Sequence, residues 1–254
     1  SSARDAIPHI NARSQPGAIH SYDKGDNSRN AMQSIRPMSA ADIPDAEAIL
    51  QAAHRMEIPF ANLLRRNLQL TPNCWWLLDQ GNKTVGVVGA IDYEKFAHLG
   101  LMAIHPDAQL IGAGSKLLSH ALHQLESLGH NSITLYSTDA GLAFYPRHGF
   151  RWHCLSTEWQ LRKRAAHVPT FRILPSTDFA RIAEWDSGIF GGNREPLLRA
   201  LNEENPNRTL IAVDETGNFV GFLLAQAAVI GPFAAATPQA AADLLQHALT
   251  LNYE

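Results

Sequence analysis

From Gln33 onward the apolar residues fall into alternating runs at strand and helix spacing, and their order predicts the elements of the first half of the chain. A short strand is predicted over Ser34 to Pro37. Next comes Ser39-Ala40-Ala41-Asp42, which resembles a capping box, followed by Ile43, Ala46, Ile49, Leu50 and Ala53 at helical spacing. A second helix is predicted over Ala61 to Gln69. Cys74 to Asp79 and Thr84 to Tyr93 read as strands joined by the turn Gln80-Gly81-Asn82-Lys83, and Ala97 to Ile104 as the next strand. A helix then runs from about Lys116 to near Gly129. Ile133 to Tyr136 reads as a buried strand, Gly141 to Arg147 as a short helix and Phe150 to Leu161 as a final strand. Ser1 to Ala31 are rich in Ser, Asn, Asp, Gly and Arg and lack either period, so residues 1–32 are expected to be a disordered leader or an appended segment.

Composition narrows the partners. At 254 residues the chain can hold one large domain or two ordinary ones, and 45% apolar residues suit a globular protein. A net charge of -3 and a pI near 6.4 supply no basic field for nucleic acid or anionic lipid, which favours a small soluble partner. Cys74 and Cys154 are too few for a disulfide framework, so a reducing, cytoplasmic setting is expected. No segment has the build of a signal peptide. The apolar run Phe219 to Ala236 is interrupted by Gly221, Gln226, Gly231 and Pro232 and falls short of the ~20 residues of a spanning helix. It is expected to be buried strand plus turn, and no membrane partner is expected.

The candidate chemistry lies after Ile104. Gln109-Leu110-Ile111-Gly112-Ala113-Gly114 follows a strand and opens into the helical run Lys116 to Leu122. Two glycines around one small residue let a bulky anion approach the backbone, and the first N–H groups of the helix point at it. The segment therefore reads as a cradle for a pyrophosphate. About thirty residues later stands Tyr145-Pro146-Arg147-His148-Gly149-Phe150.

The signature Gln109-x-x-Gly112-x-Gly114, followed by Tyr145-x-x-x-Gly149-Phe150 within this order of elements, resembles the GNAT superfamily of N-acetyltransferases over residues 33–165. The resemblance implies an α+β fold, a mixed and mostly antiparallel central sheet flanked by helices, with acetyl-CoA as cosubstrate. It implies that backbone N–H groups from Gln109, Leu110, Ile111, Gly112, Ala113, Gly114 and Ser115 hold the pyrophosphate. It further implies that Met102, Ala103 and Ile104, on a strand splayed from its neighbour, present unpaired backbone groups to the pantetheine arm, with the amide of Met102 or Ala103 contacting the thioester carbonyl. Thr138 stands where many members place an Asn that bonds the arm, and it can make only part of that contact. Tyr145 is the candidate general acid, since a phenol of pKa ~10 is protonated at neutral pH and can supply a leaving thiolate. A core tyrosine with a satisfied hydroxyl is the bland alternative. His98 occupies the position of a glutamate base in histone-type relatives, and straight alternation places it on the face of Met102 and Ile104. Glu94 is the reserve candidate.

Beyond Arg164 the pattern begins again. Ile35-Arg36 with Asp42-Ile43 is echoed by Phe171-Arg172 with Asp178-Phe179, Val85-Gly86 by Val220-Gly221, and Leu117 to Leu122 by Leu244 to Leu249. Residues 166–254 are therefore expected to be a second, degenerate and truncated GNAT-like lobe in which Gly231 to Pro238 replaces the cradle and no counterpart of Tyr145 follows. Ser137 to Gly141 and Phe190-Gly191-Gly192-Asn193-Arg194 resemble a bacterial tandem subgroup, which implies that the second copy helps enclose the acceptor. Three alternatives are open for its sheet: completion by the first copy, completion by another chain in a homo-oligomer, or a sequence that is a fragment of a longer protein. His120 and His123 have no further ligand at metal spacing, so no metal is expected. Trp75, Trp76 and Trp152 read as core, and the adjacent Arg65 and Arg66 as solvent-facing. The resulting expectation is an N-acetyltransferase acting on a primary amine of a small molecule or protein, by direct attack in a ternary complex. A non-catalytic acyl-CoA-binding sensor is the alternative.

Overall fold

A computed structural model describes residues 32–55, 57–109, 112–156 and 168–252. Strands β1 (Gln33–Pro37), β2 (Trp75–Gln80), β3 (Lys83–Asp92), β4 (Ala97–Ile104) and β5 (Ile133–Leu135) make one sheet in that order, antiparallel except for the parallel pair β4–β5. Helices α1 (Ile43–His54), α2 (Ala61–Leu70) and α3 (Ala113–Ser127) pack on it. Their apolar stripes supply the core: Ile49, Leu50, Leu64, Leu117, Leu118 and Leu125 are all buried beside Trp75, Leu77, Leu78 and Leu99. The start of α1 is fixed by charge. Ser39 donates both its N–H and its hydroxyl to Asp42 Oδ2 (2.8 and 2.7 Å), and Arg36 bridges Asp42 (2.9 Å) and Asp79 (2.7 Å). The hydrogen bond from Arg36 holds the Asp42 carboxyl down at about 2.

Gly86 shows how α3 comes to lie where it does. A Cβ there would stand 2.6 Å from Ile104 Cδ1 and 3.2 Å from Leu117 Cδ2, so the missing side chain lets the helix sit close over β3 and β4. On β4 the ladder to β3 is irregular. Gly89 faces Gly100 and Val87 faces Ala103, which leaves Leu101 and Met102 together opposite Val88: a β-bulge, with Leu101 at φ +50°. Pairing of β4 with β5 runs only from Ala97 to Leu99. Beyond that point the ladder ends, so residues 100–104 have no strand partner on the β5 side among the described residues.

A second sheet follows in the order β6 (Arg172–Pro175), β7 (Thr209–Val213), β8 (Phe219–Ala225), β9 (Ile230–Ala235), antiparallel throughout, with α4 (Phe179–Phe190), α5 (Glu195–Glu204) and α6 (Pro238–Ala248). The sequence echoes fall on equivalent places. Asp42 and Asp178 precede α1 and α4, with Ile43 and Phe179 buried behind them. Gly86 pairs with Ile104 and Gly221 with Ala235, and the next N–H in each case donates to a valine carbonyl: His105 to Val85, Ala236 to Val220, each 2.8 Å. The repeat is thus one scaffold built twice.

Several expectations need correcting. The run Phe219 to Ala236 is a hairpin, β8 and β9, because Gln226 to Val229 turn the chain back, the Gln226 N–H donating to Val229 O. Gly141 to Arg147 is two 3-10 turns, Asp139–Gly141 and Tyr145–His148, since Pro146 has no N–H to extend a helix across it. Phe150 to Ser156 are not strand, and 157–161 lie outside the described residues. Trp75 and Trp76 are core, but Trp152 is 78% exposed. Strand β5 is half-buried rather than buried. The second sheet is not continued by the first among the described residues.

Candidate functional site

Helix α3 begins without a side-chain cap. Its N-cap is Gly112 in the left-handed region (φ +77°, ψ 1°), a conformation that costs a residue with a Cβ about 1–2 kcal/mol. Among the described residues nothing accepts from the N–H groups of Ala113, Gly114 or Ser115, and the first helical bond is Lys116 N–H to Gly112 O. Gly114 is different. A Cβ there would meet the Phe144 ring at 3.5 Å, an ordinary contact, and its φ is not positive. Neither packing nor backbone asks for glycine at 114, where Phe144 and Ile104 lie close by; the open space at the helix start is over Gly112, where a Cβ would meet nothing within 4 Å. Three N–H groups and the positive end of a 15-residue helix converge there.

Gln109 does not offer its backbone as expected. Its N–H donates to Pro106 O (3.3 Å), closing the 3-10 turn Pro106–Ala108, and its side-chain Nε2 donates to Ile104 O (3.0 Å). Gln109 braces the loop instead. Leu110 and Ile111, the other expected contributors, lie outside the described residues. The Ile104 carbonyl is reachable because His105 N–H is the group turned toward β3; in an antiparallel ladder the backbone groups of the preceding residue then face the other side, here the gap left by β5. Met102 stands in the bulge on that gap, and Ala103 and Ile104 are buried behind it.

The Tyr145 hydroxyl reaches Met102 Sδ at 3.9 Å, which sets it at the bulge. Burial pushes its pKa up, so the phenol is protonated at neutral pH. Thr138 stands at the N-cap position of the turn Asp139–Gly141, makes no side-chain capping bond there, and is exposed. His98 is on the opposite face from Ile104. It pairs with Ile91, on the side of Gly100 and Ala103, while Ile104 pairs with Gly86 on the side of Leu99. The extra residue at the bulge inverts the alternation that predicted a shared face. His98 Nδ1 lies 2.9 Å from Thr134 Oγ1 and its ring 4.9 Å from Tyr136, and burial lowers its pKa, which keeps the imidazole neutral. The arrangement sets a neutral imidazole and a protonated phenol at different points along one strand.

At the near end of β4 the second lobe clasps the turn Tyr93–Phe96. Asn193 donates its N–H to Tyr93 O (3.1 Å) and its side-chain amide to Glu94 Oε1 (2.8 Å), and Phe190 packs edge-on against Tyr93 (4.8 Å). Gly192 is a glycine because a Cβ would stand 2.8 Å from Tyr93 O. Glu94, the reserve base, is therefore engaged. Arg66 is not the solvent-facing residue expected: it pairs with Glu204 on α5 (2.6 Å) and its side chain is 13% exposed. Sequence reasoning missed Phe144, His148 and Thr134, and it named Asn193 within the run expected to help enclose the acceptor without foreseeing its bond to Glu94. His148 lay within the Tyr145 motif and could have been asked for a partner; the others meet theirs only through tertiary contacts.

A family model described as an acetyltransferase (GNAT) domain matches residues 46–168, and a second model of the same description matches 182–254. Together they span about three quarters of the chain. Among solved structures, a protein of Pyrococcus horikoshii assigned as an acetyltransferase is similar at 20% identity and a TM-score of 0.73, over 94% of this chain and 82% of that one. A GCN5-related N-acetyltransferase of Sphaerobacter thermophilus is similar at 18% identity and a TM-score of 0.62, over 85% of this chain and 81% of the other. At such identities the likeness concerns the fold. No curated protein sequence matches the chain.

Proposed function

The chain belongs to the GNAT acetyltransferase superfamily, as a tandem whose second matched domain is the shorter, and from that premise we propose that its first domain moves an acetyl group from acetyl-CoA to a primary amine of a small molecule or protein. One observation carries this reading: an uncapped α3 with open space over its left-handed Gly112 stands at one end of a splayed strand whose bulge meets the Tyr145 hydroxyl. The N–H groups of Ala113, Gly114 and Ser115 hold the pyrophosphate. The backbone of Met102 and Ile104, on the side of the gap, lines the pantetheine arm, whereas the groups of Ala103, expected to join them, turn to β3; an amide at the bulge donates to the thioester oxygen as it gains charge.

The amine nitrogen attacks the carbonyl carbon, forming C–N and then breaking C–S. The amine's proton passes to His98, directly or through water, and the thiolate takes a proton from Tyr145, whose phenol is restored from solvent. Reaction in one ternary complex suits a site whose strand β4, α3 start and Tyr145 turn contain no cysteine; Cys74 is buried, with its thiol pushed up to about 11 by burial, and Cys154 is exposed beyond the turn. The second lobe, by clasping Tyr93–Phe96, shapes the acceptor end.

Calorimetric titration of the purified protein with acetyl-CoA, followed by thiol release against a panel of primary amines, tests the reading. One-site binding with amine-dependent thiol release is expected. Folded protein that does not bind acetyl-CoA overturns it, and binding without turnover on any amine would favour an acyl-CoA sensor.

A further inference from the structure

We infer that His148 is a positioning residue for the donor phosphates, acting through the Ser115 hydroxyl; the inference rests on the acetyl-CoA reading above. Ser115 is the third residue of α3, at the open helix end, and its Oγ lies 3.1 Å from His148 Nε2. His148 comes from a different segment, the 3-10 turn Tyr145–His148. It is held there. Gly149 ends the turn in the left-handed region (φ +87°), where a Cβ would be strained, and the Phe144 ring packs 4.8 Å from the imidazole while also covering Gly114.

The chemistry follows from a count of hydrogens. A hydroxyl has one hydrogen to give and two lone pairs. When His148 donates from Nε2, it occupies a lone pair of Ser115 and leaves the hydroxyl hydrogen without a partner among the described residues. An anion over the N–H groups of Ala113, Gly114 and Ser115 supplies that partner. The Ser115 O–H thereby becomes a fourth donor in the cradle, aimed by a residue that never touches the ligand.

Tyr145 opens the turn that His148 closes, its ring standing 5.3 Å from Phe144, and its hydroxyl reaches Met102. The cradle, His148 and the proposed acid are thus neighbours around the Phe144 ring.

The test compares wild type with His148→Ala, His148→Gln, Ser115→Ala and the double variant Ser115→Ala/His148→Ala. Acetyl-CoA affinity is read by calorimetry and kcat and KM with two donors, acetyl-CoA and S-acetyl-pantetheine, which lacks the pyrophosphate. His148→Ala and Ser115→Ala are each expected to weaken acetyl-CoA about tenfold, as for a hydrogen bond to a charged group. The double variant should be no weaker than either single one. His148→Gln, whose amide can donate from nearly the same point, should stay within about threefold of wild type, and S-acetyl-pantetheine kinetics should not change. Undiminished acetyl-CoA binding in His148→Ala overturns the inference. So do losses that multiply in the double variant, or a loss that falls equally on S-acetyl-pantetheine, which would mark a folding role. Failure of wild type to bind acetyl-CoA is a separate result that removes the functional reading and this one with it.

Discussion

Helices α3 and α6 occupy the same place in the two halves of the repeat, yet their first turns are finished in opposite ways. Eight residues, 105–112, separate β4 from α3, which starts on a left-handed glycine and whose first N–H groups have no acceptor among the described residues. Helix α6 is reached in two residues, 236–237. Thr237 Oγ1 accepts from Ala240 N–H (3.1 Å), and Pro238 at the first position has no N–H to leave unsatisfied. The strands leading in differ likewise. Both β4 and β9 are bulged, but where β4 has Leu101 and Met102, β9 has Gly231 and Pro232, and Pro232 cannot donate to a carbonyl. The positions that build the scaffold are shared, as Gly86 and Gly221 show. The positions that differ are the ones proposed to hold the donor: in the second copy Thr237 accepts one N–H of the first turn, Pro238 has none to offer, and Pro232 stands in the bulge.

The largest effect should come from closing the open end. Gly112→Val with Gly114→Val forces a β-branched residue into φ +77° and fills the space above the free amides, so acetyl-CoA affinity should fall at least ~100-fold in calorimetry while circular dichroism reports a folded chain. Retained binding would mean that the two helix ends do not differ in the way argued. Next is Tyr145→Phe, which keeps the ring and removes only the hydroxyl at Met102. A drop in kcat of about 100-fold with acetyl-CoA affinity within twofold of wild type is expected, from the usual worth of a positioned acid. Wild-type turnover would remove the acid role from Tyr145.

The contrast also explains what the sequence could show. The elements of the first lobe follow from periodicity, because α1, α2 and α3 bury one stripe each against strands whose inward residues alternate. Gly112 was legible as the start of α3, because a strand, two glycines and a helical run follow one another there. The bulge was not: nothing in Gly100-Leu101-Met102 announces an extra residue, so alternation carried His98 to the wrong face. Gln109 was read as a donor, when its N–H is already committed to the turn it helps form. Contacts between distant segments, Asn193 on Glu94 or His148 on Ser115, depend on tertiary placement that no local pattern encodes.

A smaller effect should separate His98 from its surroundings. Burial lowers the imidazole pKa, so the neutral, proton-accepting form persists to lower pH than for a free histidine, and the acid limb of kcat/KM should inflect below 6.5. His98→Gln should abolish that limb and lower kcat/KM about tenfold. An unchanged pH profile would pass the base role to another group.

The smallest effect belongs to the other helix. Thr237→Ala deletes the oxygen that accepts Ala240 N–H, at a residue whose backbone (φ -138°, ψ 155°) already has the extended form of a cap. The loss should be about 1 kcal/mol of unfolding free energy, or roughly 2–4 °C in Tm for a chain of this size, with acetyl-CoA affinity within twofold of wild type. A chain that lost stability but kept its donor affinity would show that the α6 terminus now serves the fold alone. If instead Thr237→Ala weakened acetyl-CoA, or if titration gave two sites per chain, the first turn of α6 would still be part of a ligand site, and the division of labour between the two copies would have to be redrawn.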